Sequence, residues 1–360
     1  MPNIQPVAGD TWPAIRFTDA PDLGAPFDAF PVEAEFRVRP DLTKLTPVDD
    51  WLRVDCEWAP MVRAKLAPLA EQENIMLAGP ADASVVLRRL AAVRRAAEKL
   101  AGTASGKLLG LGSAGPVVRF AAAGYACELL EHGARLTAQR QDAKAVVQAL
   151  TNRAGAGAGA GDKAGREGGD GASLLLGALA MSLQEDLVLM EQGADGIVRA
   201  VMFHVSFPSA WNPAEKLGQD LLALHAPVAD NALLQGAAAR LGTAMVAKGP
   251  FVRWVWTVTP DARWRAWPPH STPQDAATRP TGPADSGPLQ FRIERQTTMP
   301  LGEGYGLFLI RVQLRPLDKV LATPGRLQLL QASLRSMSDD MVRYKNLANV
   351  RARLLQVSER

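Results

Sequence analysis

Four histidines, His132, His204, His225 and His270, and two cysteines, Cys56 and Cys127, are the strongest candidates in this chain for holding a metal. No two histidines stand four residues apart, there is no CxxC or CxxCH, and no histidine lies at finger spacing from a cysteine. Neither a zinc site built from protein ligands alone nor a disulfide framework is encoded. A lone imidazole suffices for one metal chemistry, axial ligation of an iron whose equatorial nitrogens come from a porphyrin. His225 ranks first for that role, because it ends a helical stretch and is followed by Ala-Pro-Val, which fixes the backbone and leaves the ring free to project. The same position also suits a histidine that simply meets the C-terminal dipole of its helix. His204 falls mid-strand, where a core or hydrogen-bonding role is expected. His132 precedes Gly133 at an apparent helix end, and His270 lies in a Pro-rich stretch.

Two arginines and a glutamate form the second group. In the strand-like run Phe251 to Val258, Arg253 shares a face with Phe251 and Val255, and Trp254 and Trp256 take the other. An inward Arg253 needs an anion such as a carboxylate to offset its desolvation, whereas an outward one needs none. In the next run Arg295 aligns with Leu289, Phe291 and Ile293, and Glu294 faces oppositely beside Arg292 and Gln296. Arg295 suits either an anion site or an ion pair at the sheet end with Asp186 or Glu185. Gly110-Leu-Gly112-Ser-Ala-Gly115 matches GxGxxG, but no βαβ alternation surrounds it, and no local Ser, His, Asp signature is present.

These residues need elements to position them. The first 80 residues, rich in Pro, Asp and aromatics, read as irregular chain wrapped over a core, with a short extended piece at Ala34 to Val38. From Ala83, the spacing of Val86, Leu90, Val93, Ala97 and Leu100 predicts an amphipathic helix whose basic face suits solvation and ion pairing. A second helical stretch is predicted from about Val117 to Asn152. Ala154 to Gly171 is a Gly-rich tract that reads as a flexible linker. Beyond it, Leu187 to Met190 and Ile197 to Phe207 predict a hairpin, and Asn212-Pro-Ala-Glu215 opens a helix of about three turns that stops near His225. A helix over Asn231 to Ala247 follows, then strands at Phe251 to Val258, Leu289 to Thr298 and Tyr305 to Leu314. The first two of these strands are separated by a long Pro-rich loop, Thr259 to Pro288. The last 45 residues return to helix, capped at Ser338, with Leu347, Val350, Leu354 and Val357 as an apolar stripe. The fold class is α+β with an antiparallel sheet. The expected divisions are an N-terminal region over 1–153, a linker over 154–172, a core over 173–316 and C-terminal helices over 317–360.

Composition narrows the function. In 360 residues, 47% are hydrophobic and 21% charged, and the formal charge of +3 is too small over that length to imply a nucleic-acid or membrane partner. Met1 to Trp12 has no basic start or apolar run of a signal peptide, and no stretch reaches the roughly 18 apolar residues of a membrane span. The chain reads as cytoplasmic.

Several stretches, in order, resemble the haem-dependent oxidative N-demethylase family. The longest is Phe207-Pro-Ser-Ala-Trp211-Asn-Pro-Ala-Glu215-Lys-Leu-Gly218, continuing to Leu224-His225-Ala-Pro-Val228. Others are Trp51-Leu-Arg-Val-Asp55, Gln184-Glu-Asp-Leu187, Arg253 with Trp256, Glu294-Arg-Gln-Thr297, the strand reaching Arg311, and Tyr344-Lys345. The resemblance implies a PAS-like haem-binding fold, flanked by helices at both ends, with haem b held by His225 as the proximal iron ligand. It further implies a monooxygenase that removes a methyl group from a small secondary amine such as dimethylamine, using O2 and NADPH-derived electrons through a partner reductase, and releases formaldehyde. Arg253 or Arg295 would meet propionates or substrate, and Glu294 is the candidate acidic residue for the ammonium and for proton delivery. The alternative is a non-catalytic haem-binding PAS-like sensor or an interaction protein on the same scaffold.

Overall fold

The computed structural model describes residues 23, 25–46, 51–70, 75–131, 133–156, 170–266 and 288–357. The strands are β1 (Thr43–Lys44), β2 (Met76–Ala78), β3 (Leu111–Ala114), β4 (Val117–Phe120), β5 (Tyr125–Leu130), β6 (Gly133–Ala138), β7 (Asp186–Gln192), β8 (Val198–His204), β9 (Phe251–Thr259), β10 (Gln290–Gly302) and β11 (Tyr305–Pro316). Before β7 lie the helices α1 (Trp58–Ala64), α2 (Leu66–Ala70), α3 (Ala83–Ala101), α4 (Ala104–Leu108), α5 (Lys144–Ala156) and α6 (Gly171–Ser182). After it come α7 (Leu221–His225), α8 (Ala232–Ala247), α9 (Leu317–Leu321), α10 (Arg326–Ser336), α11 (Asp339–Tyr344) and α12 (Ala348–Leu355). Seven strands form one antiparallel sheet in the order β1-β9-β10-β11-β7-β8-β2, and β3 to β6 form a second, four-stranded meander. The fold is α+β.

Five strands of the large sheet, β7 to β11, form where the period-two pattern predicts them, whereas β1 and β2 come from the first 80 residues, which read as irregular chain. Gly196, at φ +76, closes the β7–β8 hairpin, and β10 and β11 pair over almost their whole length. Along β9, Val252, Trp256 and Val258 are buried, and the residues between them are only partly covered. The tryptophan face packs on α10, α11 and α12 through Leu330, Leu334, Met341, Leu347 and Leu354. The N-terminal segment lies across it, with the Phe27, Phe30 and Phe36 rings 5.3, 5.3 and 5.8 Å from those of Trp254, Phe291 and Trp256.

The opposite face can be followed strand by strand through directly paired residues, which point the same way. Phe251 pairs with Thr298, Thr298 with Phe308, Phe308 with Val188, and Val188 with Phe203. Against Val188, Phe203 and Phe308 pack Met245 and Val246 of α8 and Leu221 and Leu224 of α7. The helix carrying His225 therefore lies on the face that bears Phe251, and hence Arg253.

The segment from Val117 to Asn152, expected as helix, is instead β4, β5, β6 and then α5. Its apolar residues alternate: Ala134 and Leu136 are buried, and Arg135 and Thr137 are exposed. Gly115 at φ +56 and Gly124 at φ +81 make the reversals that a continuous helix would forbid. The GxGxxG stretch spans β3 and the turn into β4, so the helix N-terminus that a pyrophosphate requires does not follow it.

Helix α6 had no signature in the hydrophobic periodicity. All twelve of its residues are buried, so the sequence shows no apolar stripe, only a uniformly apolar run. It packs among α3, α5 and β6, and a Cβ on Gly171 would fall 2.7 Å from the Gly133 carbonyl carbon, which demands glycine there. Asp170 caps it, accepting from Ala172 N at 3.1 Å. The interior of the Gly-rich tract, 157–169, and of the Pro-rich loop, 267–287, lies outside the described residues.

The basic face of α3 is engaged by the protein itself. Arg89 pairs with Glu191 at 3.0 Å, Arg95 with Glu303 at 3.0 Å and Arg94 with Glu98 at 2.9 Å. Among the described residues, no helix is long and apolar enough to cross a membrane.

Candidate functional site

The helix predicted from Asn212 divides in two. Asn212 accepts from Ala214 N at 3.1 Å and caps a single 3-10 turn, Pro213–Lys216; Gly218, at φ +79, then redirects the chain. Asp220 caps the second piece, α7, accepting from Ala223 N at 2.8 Å. Pro227 prevents continuation, and the end of α7 is held from two sides: Lys216 Nζ donates to Leu224 O at 3.3 Å, and Asn231 Nδ2 to His225 O at 2.7 Å.

This fixes the His225 ring. Its Nδ1 lies 2.8 Å from Leu221 O, an acceptor only, so Nδ1 carries the hydrogen and Nε2 carries the lone pair. No hydrogen bond from a described residue reaches Nε2. Burial depresses the imidazole pKa below its usual value, and the Arg253 and Lys216 cations depress it further, so the ring stays neutral at pH 7.

Arg253 stands on β9 opposite Gln296, and its Nε is buried without a hydrogen-bond partner. The nearest compensating charges are those of Asp41 and Glu294, which act through space. Glu294 lies on the same sheet face, opposite Val255, with both oxygens engaged: Ser209 Oγ donates to Oε1, and Gln296 Nε2 donates to Oε2 at 2.7 Å. Arg292 completes the row, donating from Nε to Ser209 Oγ at 2.8 Å. At the edge of β9 that β1 leaves unpaired, Lys345 Nζ donates to Trp256 O at 2.9 Å, and burial pushes its pKa down to about 8.

The structure thus brings His225, Arg253 and Glu294 to one side of the sheet. Arg295 does not join them. One residue along β10 from Glu294, it points through the sheet, is buried, and donates to Trp51 O at 3.2 Å. Its charge acts there on Glu185, one of the two partners its alignment suggested. That far side holds a separate polar cluster, in which Arg311 Nη2 bonds both Asp55 oxygens at 2.9 Å and Gln184 Nε2 donates to Asp55 Oδ1 at 2.9 Å. His204 is fully buried, neither ring nitrogen has a partner, and desolvation pushes its pKa down to about 3. His132 and His270 lie outside the described residues.

Ser209, Arg292, Gln296 and Lys345 were not among the sequence-derived site residues. Arg292 and Gln296 were legible as sharing Glu294's face, but Ser209 is 85 residues from Glu294 along the chain, and only the fold brings them together.

Residues 160–355, more than half of the chain, match the family described as haem-dependent oxidative N-demethylase, alpha subunit-like. The chain belongs to that family. No curated protein gives a significant match. The family's haem places demands that the residues around His225 meet. An axial ligand needs a neutral imidazole with one nitrogen open and the other held, and His225 has both. A haem propionate needs a cation out of water, and Arg253 offers a buried Nε with no partner beside His225. Arg295 donates instead to the Trp51 carbonyl on the far face of the sheet.

Proposed function

We propose that this chain is a haem-dependent monooxygenase acting on a small secondary amine of the dimethylamine type. The reaction is R2NH with O2, two electrons and two protons giving a primary amine, formaldehyde and water. The electrons come from NADPH through a partner reductase. The seven-stranded sheet with its covering helices, chiefly within 173–316, is the PAS-like core. Haem b, when bound, supplies the iron at which oxygen is activated.

The protein's own part is positional and electrostatic. Leu221 O holds the Nδ1–H of His225, which leaves Nε2 as the nitrogen that would ligate the iron. Arg253 would offset the charge of a propionate, and its cation adds to the burial that already depresses the imidazole pKa. Glu294, with both oxygens oriented by neutral donors, keeps lone pairs free to accept from a substrate ammonium, and its carboxylate can take a proton from it.

One observation carries this reading: His225 presents a single open, neutral ring nitrogen beside a buried arginine that lacks a hydrogen-bond partner at Nε. The test is a visible spectrum of protein made with ample haem, as isolated, after dithionite, and after carbon monoxide. A Soret band that shifts at each step, and that His225→Ala loses, is the expected result. Amine-dependent oxygen uptake with formaldehyde release then tests turnover. A featureless visible spectrum, or a spectrum unchanged by His225→Ala, would refute the assignment.

A further inference from the structure

Ser209 sits on the loop after β8, and that loop is pinned to its surroundings twice. Ala266 N donates to Pro208 O at 3.0 Å and Ala210 N to Ala266 O at 3.2 Å. From the sheet, Arg292 donates through Nη2 to Phe207 O at 3.2 Å and through Nε to Ser209 Oγ at 2.8 Å. A serine hydroxyl has one hydrogen to give, and with its oxygen already accepting from Arg292, that hydrogen goes to Glu294 Oε1.

The consequence lies in what Arg292 does not do. It is buried two residues from Glu294 on the same face, yet no direct ion pair joins them; the hydroxyl stands between. A fork-to-fork pair would occupy both carboxylate oxygens and cancel the charge on that face. Through Ser209, one lone pair of Oε1 is used, and through Gln296 one of Oε2. An ionised carboxylate offers about four acceptor sites, so roughly one remains on each oxygen.

We infer that Ser209 is a positioning residue for amine binding. Its hydroxyl uses the Arg292 charge to orient Glu294 without neutralising it, and leaves one acceptor site on each oxygen for the two N–H groups of a secondary ammonium. This rests on Glu294 holding the amine, as in the proposed function. The competing reading is that Ser209 only tethers its loop through Arg292.

The test uses haem-loaded protein with dimethylammonium chloride, by steady-state kinetics and by titration calorimetry. Ser209→Ala is expected to raise both KM and the calorimetric Kd about tenfold, with kcat within about twofold, a loss near 1.4 kcal/mol in binding. Ser209→Thr, which keeps the hydroxyl, restores both. Gln296→Leu removes the donor from the other oxygen without touching the loop; it should raise KM likewise and serves if the alanine variant does not fold. Unchanged KM and Kd in a folded, haem-loaded Ser209→Ala protein would overturn the inference. So would a fall in kcat with KM unmoved, together with a lowered melting temperature, which is the mark of a tether. Glu294→Gln separates the two levels. If it leaves Kd unchanged, or if the wild-type protein binds no dimethylammonium, the assignment of Glu294 fails and the inference fails with it; if it weakens binding and Ser209→Ala does not, only the role of Ser209 is lost.

Discussion

His204→Met should flatten the acid side of this protein's stability profile. The imidazole is buried between β2, β7 and β8, neither nitrogen has a partner, and desolvation, with a smaller contribution from the Lys65 cation, pushes its pKa down to about 3. In the unfolded chain a histidine titrates near 6.5. Between about 6.5 and 3 the unfolded state therefore binds a proton that the native state refuses, and stability rises with pH across that window. The contribution is fully present above about 6.5 and is lost as pH falls toward 3. From pH 7 to pH 5 the loss is about 2 kcal/mol, of the order of 1.4 kcal/mol per pH unit over the unfolded-state titration. Glu185 and Asp186 act in the opposite sense, because burial raises their carboxyl pKa values above the unfolded ones and so favours the native state in acid. Comparing variant with wild type removes their share. Urea unfolding at pH 7 and pH 5, with linear extrapolation, should show the wild type losing about 2 kcal/mol more than His204→Met, at equal m. Parallel losses in the two proteins would refute the reasoning.

Arg253→Met should weaken haem retention, read as roughly tenfold faster transfer to a scavenging globin, and should let the His225 imidazole titrate at higher pH, because one of the cations that depress it is gone. Arg311→Met leaves Asp55 buried without its bidentate partner and should cost about 3–5 kcal/mol in urea unfolding. Arg95→Ala removes a surface pair with Glu303 and should cost under about 1 kcal/mol. Lys345, with its ammonium pKa pushed down to about 8, should react with amine reagents with a midpoint near that pH, earlier than an exposed lysine. Because its native pKa lies below the unfolded value, stability should rise with pH above about 8, and Lys345→Met should lose that rise.

Much of the site was legible because its determinants are local. The period of two along Phe251 to Val258 separates Arg253 from Trp254 and Trp256 wherever the strand is placed, and the same rule separates Glu294 from Arg295. Pro227 ends the helix at His225 because proline cannot continue the backbone bonds, and Ser338 caps α11 as predicted, accepting from Met341 N at 3.0 Å. Where the local signal misled, a neighbourhood rule was overridden or had nothing to read. Gly218 splits the expected helix before His225 through a positive φ, and glycine-made reversals turn 117–138 into a meander. Helix α6 is apolar on every side because every side is covered, which erases the periodicity that would reveal it.

By itself, the sequence determined the α+β class, the faces on which each candidate charge lies, the helix end that presents His225, and the family. Only the tertiary structure decided that Arg253 shares a face with His225 while Arg295 turns to Trp51 and Glu185, that Ser209 stands between Arg292 and Glu294, and that Asp55 meets Arg311 across 256 residues of chain. The physical reason is range. Backbone propensity and side-chain alternation act between residues two to four positions apart, whereas strand order, and the choice of which helix covers which face, are settled by burying apolar surface among segments that are distant in the chain.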